Sequence, residues 1–104
     1  MQRFSFKMKL LPGHEAVYKQ RHDAIWPQLK ELLQEEGIKN YSIFLDRETS
    51  TLFAYLEAPD ESFKTSLPLQ PIMKQWWQYM KDIMETNEDG SPVSISLEEV
   101  FYLS

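Results

Sequence analysis

Between residues 3 and 10 the chain alternates without a fault. Phe4, Phe6, Met8 and Leu10 fall on one side, and Arg3, Ser5, Lys7 and Lys9 on the other. A period of two is that of a half-buried β-strand, and Pro12-Gly13 ends it. The period then changes. Val17, Arg21 and Ala24, and beside them Tyr18, His22 and Ile25, recur every three or four residues, so a helix is predicted from His14. Pro27 lacks an amide hydrogen and disfavours helical backbone in the residue before it. A break is therefore predicted at Ile25-Trp26, with a second helical segment opening at Pro27. That segment sets Leu29, Leu32 and Leu33 on one face and Lys30, Glu31, Gln34 and Glu35 on the other, with Gly37 as its stop.

Residues 38–46 read as a strand with Tyr41, Ile43 and Leu45 on one face. Residues 46–51 are a polar turn, and residues 52–58 a returning strand, so the three form a hairpin. Phe44, Phe53 and Tyr55 lie opposite the Ile43, Leu45, Leu52 and Leu56 set, which leaves this pair apolar on both faces. Helices can cover only one of them, and the other calls for a partner subunit. Pro59-Asp60 starts a short helix with Asp60 as its N-cap, Pro68 stops it, and Pro71 suits the first position of the next. In residues 72–84 the apolar side chains Ile72, Met73, Trp76, Trp77, Met80, Ile83 and Met84 make one broad helical face. Residues 85–92 are a loop by composition, and residues 93–103 a last strand whose alternation slips at Glu98-Glu99, as at a bulge. The order β-α-β-β-α-β is that of an α+β, ferredoxin-like antiparallel sheet with its helices on one face.

Composition narrows the function. The 104 residues make one domain, residues 1–104, near the lower end of the size that buries a comfortable core alone, so association would help it. The net charge is −5 with no basic tract, which argues against nucleic acid and against an anionic membrane surface as partners. There are no cysteines, so thiolate chemistry, disulfides and cysteine-ligated metals are excluded. Residues 1–5 show no apolar run of the signal-peptide kind and no stretch approaches a membrane span, so a cytoplasmic location is expected. Of the chemistries with short signatures, G-x-S-x-G, the P-loop and G-x-G-x-x-G are all missing.

Two stretches carry the candidate chemistry, Tyr18 to Pro27 and Trp76-Trp77-Gln78-Tyr79. Tyr18 and His22 are four residues apart and share a helix face. A phenol beside an imidazole can donate and accept protons, and the imidazole titrates near neutral pH without help. The bland alternative for His22 is a partly buried histidine bonded to backbone. For Tyr18 it is a helix residue with its hydroxyl at the surface, and for Tyr41 a core side chain. His14 and His22 are about 12 Å apart along a helix axis, too far to share a metal ion, and Asp23 lies on another face from His22. Trp76 and Trp77 are separated by about 100° and cannot both point at the centre of one face. An aromatic stripe alone is usually core. Flat indoles beside a few fixed polar groups also match a sugar ring, whose apolar C–H faces are edged by hydroxyls. The two stretches are therefore expected to meet in one pocket for a small, polar, uncharged ring.

Taken together, Tyr18-x-x-Arg21-His22, Ile25-Trp26-Pro27-x-Leu29, Asn40-Tyr41-x-Ile43, Trp76-Trp77-x-Tyr79-Met80, Ser91-Pro92-Val93 and Glu99-Val100-Phe101-Tyr102-Leu103 resemble the L-rhamnose mutarotase family over essentially the whole chain. Gln28 departs from the acidic residue expected after the proline, outside the presumed pocket. The resemblance implies a homodimer whose sheets face each other in an α/β-barrel-like assembly. It implies interconversion of the α and β anomers of L-rhamnose without cofactor or metal. It also implies His22 as the proton donor and Tyr18, Tyr41, Trp76 and Trp77 as contacts to the sugar. Tyr18 is then a hydrogen-bond partner or second proton carrier, while the tryptophans stack on the sugar and exclude water. Two other readings remain: a non-catalytic ferredoxin-like module that binds a small ligand, and, by analogy of fold, a cofactor-free monooxygenase.

Overall fold

In the computed structural model, which describes residues 1–104, four strands form one antiparallel sheet. They are β1 (Gln2–Lys9), β2 (Lys39–Asp46), β3 (Thr51–Ala58) and β4 (Ser94–Leu97), in the spatial order β2-β3-β1-β4. Between β1 and β2 run α1 (Glu15–Asp23) and α2 (Pro27–Glu35); between β3 and β4 run α3 (Phe63–Ser66) and α4 (Pro71–Met80). Sequence and sheet order together are the ferredoxin-like arrangement that the periodicity predicts. No helix is long and apolar enough to cross a membrane.

The register explains which residues are inside. Leu52 pairs with Met8 on one side and Leu45 on the other, Ala54 pairs with Phe6 and Ile43, and Leu56 pairs with Phe4. Paired residues share a face, and this is the face the helices cover. Leu29 of α2, Trp76 and Met80 of α4, and Ile83 and Met84 beyond it pack there with Met8, Leu10, Tyr18, Leu52 and Ala54. A smaller cluster of Ile38, Leu56, Ala58 and Phe63 closes the other end. Strict alternation back from Tyr41 would turn Ile38 outward. A bulge between Lys39 and Ser42 inserts one residue, Asn40 takes φ +50°, and Ile38 and Tyr41 both reach the helix side.

The break before Pro27 falls where predicted. Ala24, Ile25 and Trp26 separate the two helices, and Trp26 is extended at φ −60°, ψ 133°. Three expectations are corrected. The helix after Pro59 starts at Phe63, because Asp60 accepts a hydrogen bond from the Ser62 amide (2.8 Å) and closes a turn of its own. The long periodic stretch 72–84 is α-helical only to Met80; it tightens into a 3₁₀ turn at Lys81–Ile83, and Met84 is extended and bridges to Leu10. The last strand ends at Leu97 rather than 103. Beyond it the Glu99 carboxylate accepts from Arg3 Nη2 at 2.8 Å and from Arg3 Nε at 3.2 Å, and the guanidinium carbon lies 3.6 Å from the Tyr102 ring centre, so side-chain bonds replace the ladder.

Leu52 sits at the crossing of β1, β2 and β3 and is among the fully buried side chains. Leu52→Ala should lower unfolding free energy by about 2–5 kcal/mol, the range for a core leucine truncated under partial relaxation. Urea denaturation with an unchanged slope checks it; a shift below about 1 kcal/mol would mean that the sheet–helix core does not carry the fold.

Candidate functional site

The cleft between the sheet and the helices is lined by all five sequence-selected residues: Tyr18 and His22 from α1, Tyr41 from β2, and Trp76 and Trp77 from α4. It encloses about 1770 Å³, far more than a monosaccharide fills. Selectivity therefore has to come from the shape and polarity of one part of the cleft.

That part is aromatic. The Tyr18 and His22 rings stack, centre to centre 4.2 Å and 26° apart, one turn from each other on α1. His22 meets Trp76 edge-on at 5.4 Å. Trp76 in turn meets Trp26 edge-on at 5.1 Å, and Tyr79 packs against both, at 5.3 Å from Trp26 and 5.6 Å from Trp76. Trp76 is only 5 % exposed, hemmed in by His22, Trp26 and Tyr79, whereas Trp77 is half-buried and also lines the cleft. The two indoles thus divide as their 100° separation requires, one mainly packed behind the imidazole and the other freer.

The hydrogen bonding of His22 fixes its tautomer. Nδ1 lies 3.0 Å from the Tyr18 carbonyl oxygen. A carbonyl can only accept, so Nδ1 carries the hydrogen, and in the neutral ring Nε2 holds the free lone pair. The backbone bond expected of a partly buried histidine is therefore present, and it occupies Nδ1 while leaving Nε2 without a hydrogen-bond partner. Burial holds the imidazole below its ordinary pKa, opposed more weakly by the Tyr18 carbonyl and by Asp23. The same desolvation pushes the Tyr18 phenol up, with a smaller push from Tyr41, and moves Tyr41 up to about 12, although that residue is 39 % exposed overall. Near neutral pH the imidazole can accept a proton, and the two phenols keep their protons and so remain available as hydrogen-bond donors. Asp23 is held by Lys19 at 2.8 Å.

Residues that the sequence reading left out of the site frame it. Trp26 and Tyr79 complete the aromatic cluster, and Asp89 and Ser91 reach the cleft from the 85–92 loop. This loop is tightly bonded: the Asn87 amide donates to the Ser91 carbonyl at 2.8 Å and the Gly90 amide to Asn87 at 3.0 Å. Gly90, at φ +88°, lets it press on α4, since a Cβ there would stand 2.4 Å from Gln78 Nε2. Trp26 carried a signal in its position before Pro27, where the backbone is pushed to extended geometry; Ser91 stands in the Ser91-Pro92-Val93 motif, and Asp89 carried no signal.

Comparison with known proteins follows the same outline. The family model described as L-rhamnose mutarotase matches residues 3–103. An L-rhamnose mutarotase of Formosa agariphila is 52 % identical over 103 residues, covering 99 % of each chain. One of Listeria monocytogenes is 48 % identical over the full length of both. A crystal structure of L-rhamnose mutarotase from Formosa agariphila superposes with a TM-score of 0.94 at 50 % identity over the whole of both chains.

A histidine that resists protonation when folded, yet takes a proton freely when unfolded, makes the unfolded chain the better proton binder below the unfolded pKa of about 6.5. Stability from this source is complete above that pH and is lost as pH falls toward the folded pKa. His22 should therefore titrate below 6.5 by NMR. Between pH 7.5 and pH 5 the parent should lose more urea stability than His22→Gln, in which carboxylate effects persist. Equal losses would show that His22 is not desolvated.

Proposed function

The chain belongs to the L-rhamnose mutarotase family, and from that premise we propose that it interconverts the α and β anomers of L-rhamnose, as an isomerase, with His22 as its proton carrier. The observation that supports this most directly is the convergence on one cleft of an imidazole with a free Nε2, two protonated phenols and a half-buried indole.

Anomerisation needs the anomeric hydroxyl deprotonated, the ring C–O bond broken, and the ring oxygen protonated; the aldehyde then rotates and recloses on its other face. The neutral His22 imidazole takes the anomeric proton on Nε2. The phenols of Tyr18 and Tyr41, kept protonated by burial, donate hydrogen bonds to the charge that develops on sugar oxygen. As the ring opens, the imidazolium returns its proton to the ring oxygen. Both oxygens are bonded to the same carbon, so one imidazole can serve both in turn, and in this second act His22 is the proton donor. Reclosure runs the same transfers backward. Trp77 offers its plane to the C–H face of the sugar, and Trp76 backs the imidazole. The site residues and the substrate thus form one account with no bound ion or cofactor in it.

The second sheet face supports a homodimer. Rows Phe44-Phe53-Lys7-Ile95 and Ser42-Tyr55-Ser5-Leu97 run across it by register, and Phe44 is 67 % exposed. An apolar sheet face without helices is self-complementary material for a two-fold contact.

In saturation-transfer NMR on equilibrated L-rhamnose, irradiating one anomeric proton should diminish the other in the presence of the protein. His22→Ala should lower the exchange rate by about 10²–10⁴-fold, and Tyr18→Phe by at least about tenfold, mainly in turnover. Full exchange in His22→Ala would remove the mechanism. Sedimentation should give twice the 12.4 kDa chain mass, and Phe53→Asp should return it to one chain; a monomeric parent would leave the outer face without this partner.

A further inference from the structure

We propose that Arg21 is a positioning residue for His22: its guanidinium, clamped on α4 and the turn after it, sets where the imidazole stands against Trp76. The proposal rests on the reading of His22 as the proton carrier.

The need for such a device follows from how α1 is held. Tyr18 is the one buried residue of this nine-residue helix, so apolar packing anchors its middle turn. The last turn, which carries His22, adds no residue to the apolar core, Arg21 and His22 being half-buried, and the chain leaves it directly through Ala24 and Ile25 toward Pro27. The side-chain hydrogen bonds that tie this turn to the rest of the molecule are those of Arg21. One terminal nitrogen, Nη1, donates to the Tyr79 carbonyl at 2.8 Å and to Asp82 Oδ1 at 2.9 Å, and Nη2 donates to Asp82 Oδ2 at 3.2 Å. The guanidinium carbon stands 4.5 Å from the centre of the Tyr79 ring, and the arginine side chain is only 16 % exposed. No other side chain of α1 makes a hydrogen bond to another element; Lys19 and Asp23 bond each other, and His22 bonds the helix backbone.

The acceptors are suited to a fixed fork. Tyr79 lies in the last turn of α4, where carbonyls lack their helical partners and welcome a cation. The Asp82 carboxylate is held below its usual range, chiefly by its bonds to Arg21. Two parallel N–H bonds to one carboxylate define a direction as well as a distance, which a lysine ammonium on a flexible stem does not. Position then follows from sequence neighbours. His22 is the next residue along α1, and Trp76 lies about one turn before Tyr79 and Met80 on α4. The Arg21 fork and the His22–Trp76 edge contact are thus two rungs between the same two helices. Fixing the first fixes the second, and it also holds Tyr79 against Trp26, which closes the cluster behind the imidazole.

The test uses Arg21→Lys and Asp82→Asn in the full-length protein. The chain has only two histidines, so the His22 ring protons can be assigned against His22→Ala. Stacked on Tyr18 and edge-on to Trp76, they carry ring-current displacements that depend on where the ring sits. In substrate-free protein both variants should keep the parent's circular dichroism while the His22 ring-proton shifts move. In L-rhamnose exchange kcat should fall about 10–100-fold, as for a reacting group misplaced by about 1 Å, with KM within about twofold. Unmoved His22 shifts in both variants would overturn the proposal, whether or not kcat falls, and so would moved shifts beside an unchanged kcat. The shifts need no substrate. A parent protein inactive on L-rhamnose would sink the functional reading and still leave the placement of His22 decided by the NMR.

Discussion

Pro27 cannot donate the hydrogen bond that a continuing helix would ask of it, and it pushes the residue before it into extended backbone. This one constraint organises the site. It ends α1 immediately after the turn that carries His22, so the imidazole stands at a helix end rather than in the middle of a long amphipathic face. It also turns Trp26 out of helical geometry, and in that conformation the indole reaches Trp76 and Tyr79. An uninterrupted helix over 14–36 would have kept the apolar side chains of both segments in one continuous stripe. The break lets α2 bury Leu29 while α1 buries Tyr18, with His22 between them at the cleft.

The aromatic enclosure then does electrostatic work by excluding water. Desolvation penalises whichever form of a group is charged. It therefore moves an imidazole and a phenol in opposite directions, and both movements are seen: His22 down, Tyr18 and Tyr41 up. The outcome is a division of labour that needs no buried ion pair. The imidazole is neutral and basic at Nε2, and the phenols remain donors. Neutral groups are what the proposed uncharged sugar substrate would call for, because a fixed charge in this place would have to be desolvated each time the substrate bound. The same neutrality leaves the site unmarked by charge in the sequence; Arg21, the nearest cation in sequence, is paired with Asp82 beside the Tyr79 ring at the edge of the cluster.

Much of this was legible in the chain, because it rests on local rules. Period two gave β1 and period 3.6 gave α1 and α2. Pro27 placed the break, and the four-residue spacing of Tyr18 and His22 put them on one face. The split between Trp76 and Trp77 followed from helix geometry alone. What stayed hidden depends on contacts between distant segments. The Arg21–Asp82 pair joins residues 61 apart, and nothing at either position distinguishes it from an ordinary surface charge. The sequence predicts a longer last strand because Val100, Phe101 and Leu103 keep an apolar character that the sheet does not use; all three are largely exposed. Hydrophobic pattern reports where apolar surface needs cover, and it does not say which molecule provides it.

The bulge at Asn40 connects the two sheet faces in a way that neither reveals alone. Tyr41 can line the cleft while Ile38 packs on Phe63's cluster only if one extra residue separates them. That residue is held from the other side of the sheet. Asn40 Nδ2 donates to Glu57 Oε1 at 3.1 Å, and the Tyr55 hydroxyl donates to Glu57 Oε2 at 2.8 Å. A left-handed φ is tolerated better by asparagine than by most residues, and the side-chain bond compensates for what remains unfavourable. The phenol of Tyr41 is therefore aimed into the cleft by hydrogen bonds made on the opposite, outer face, where Tyr55 and Glu57 pair with Ser5 and Arg3 of β1. Whatever covers the outer face lies against the bonds that aim Tyr41, so the two faces of this small sheet cannot be altered independently.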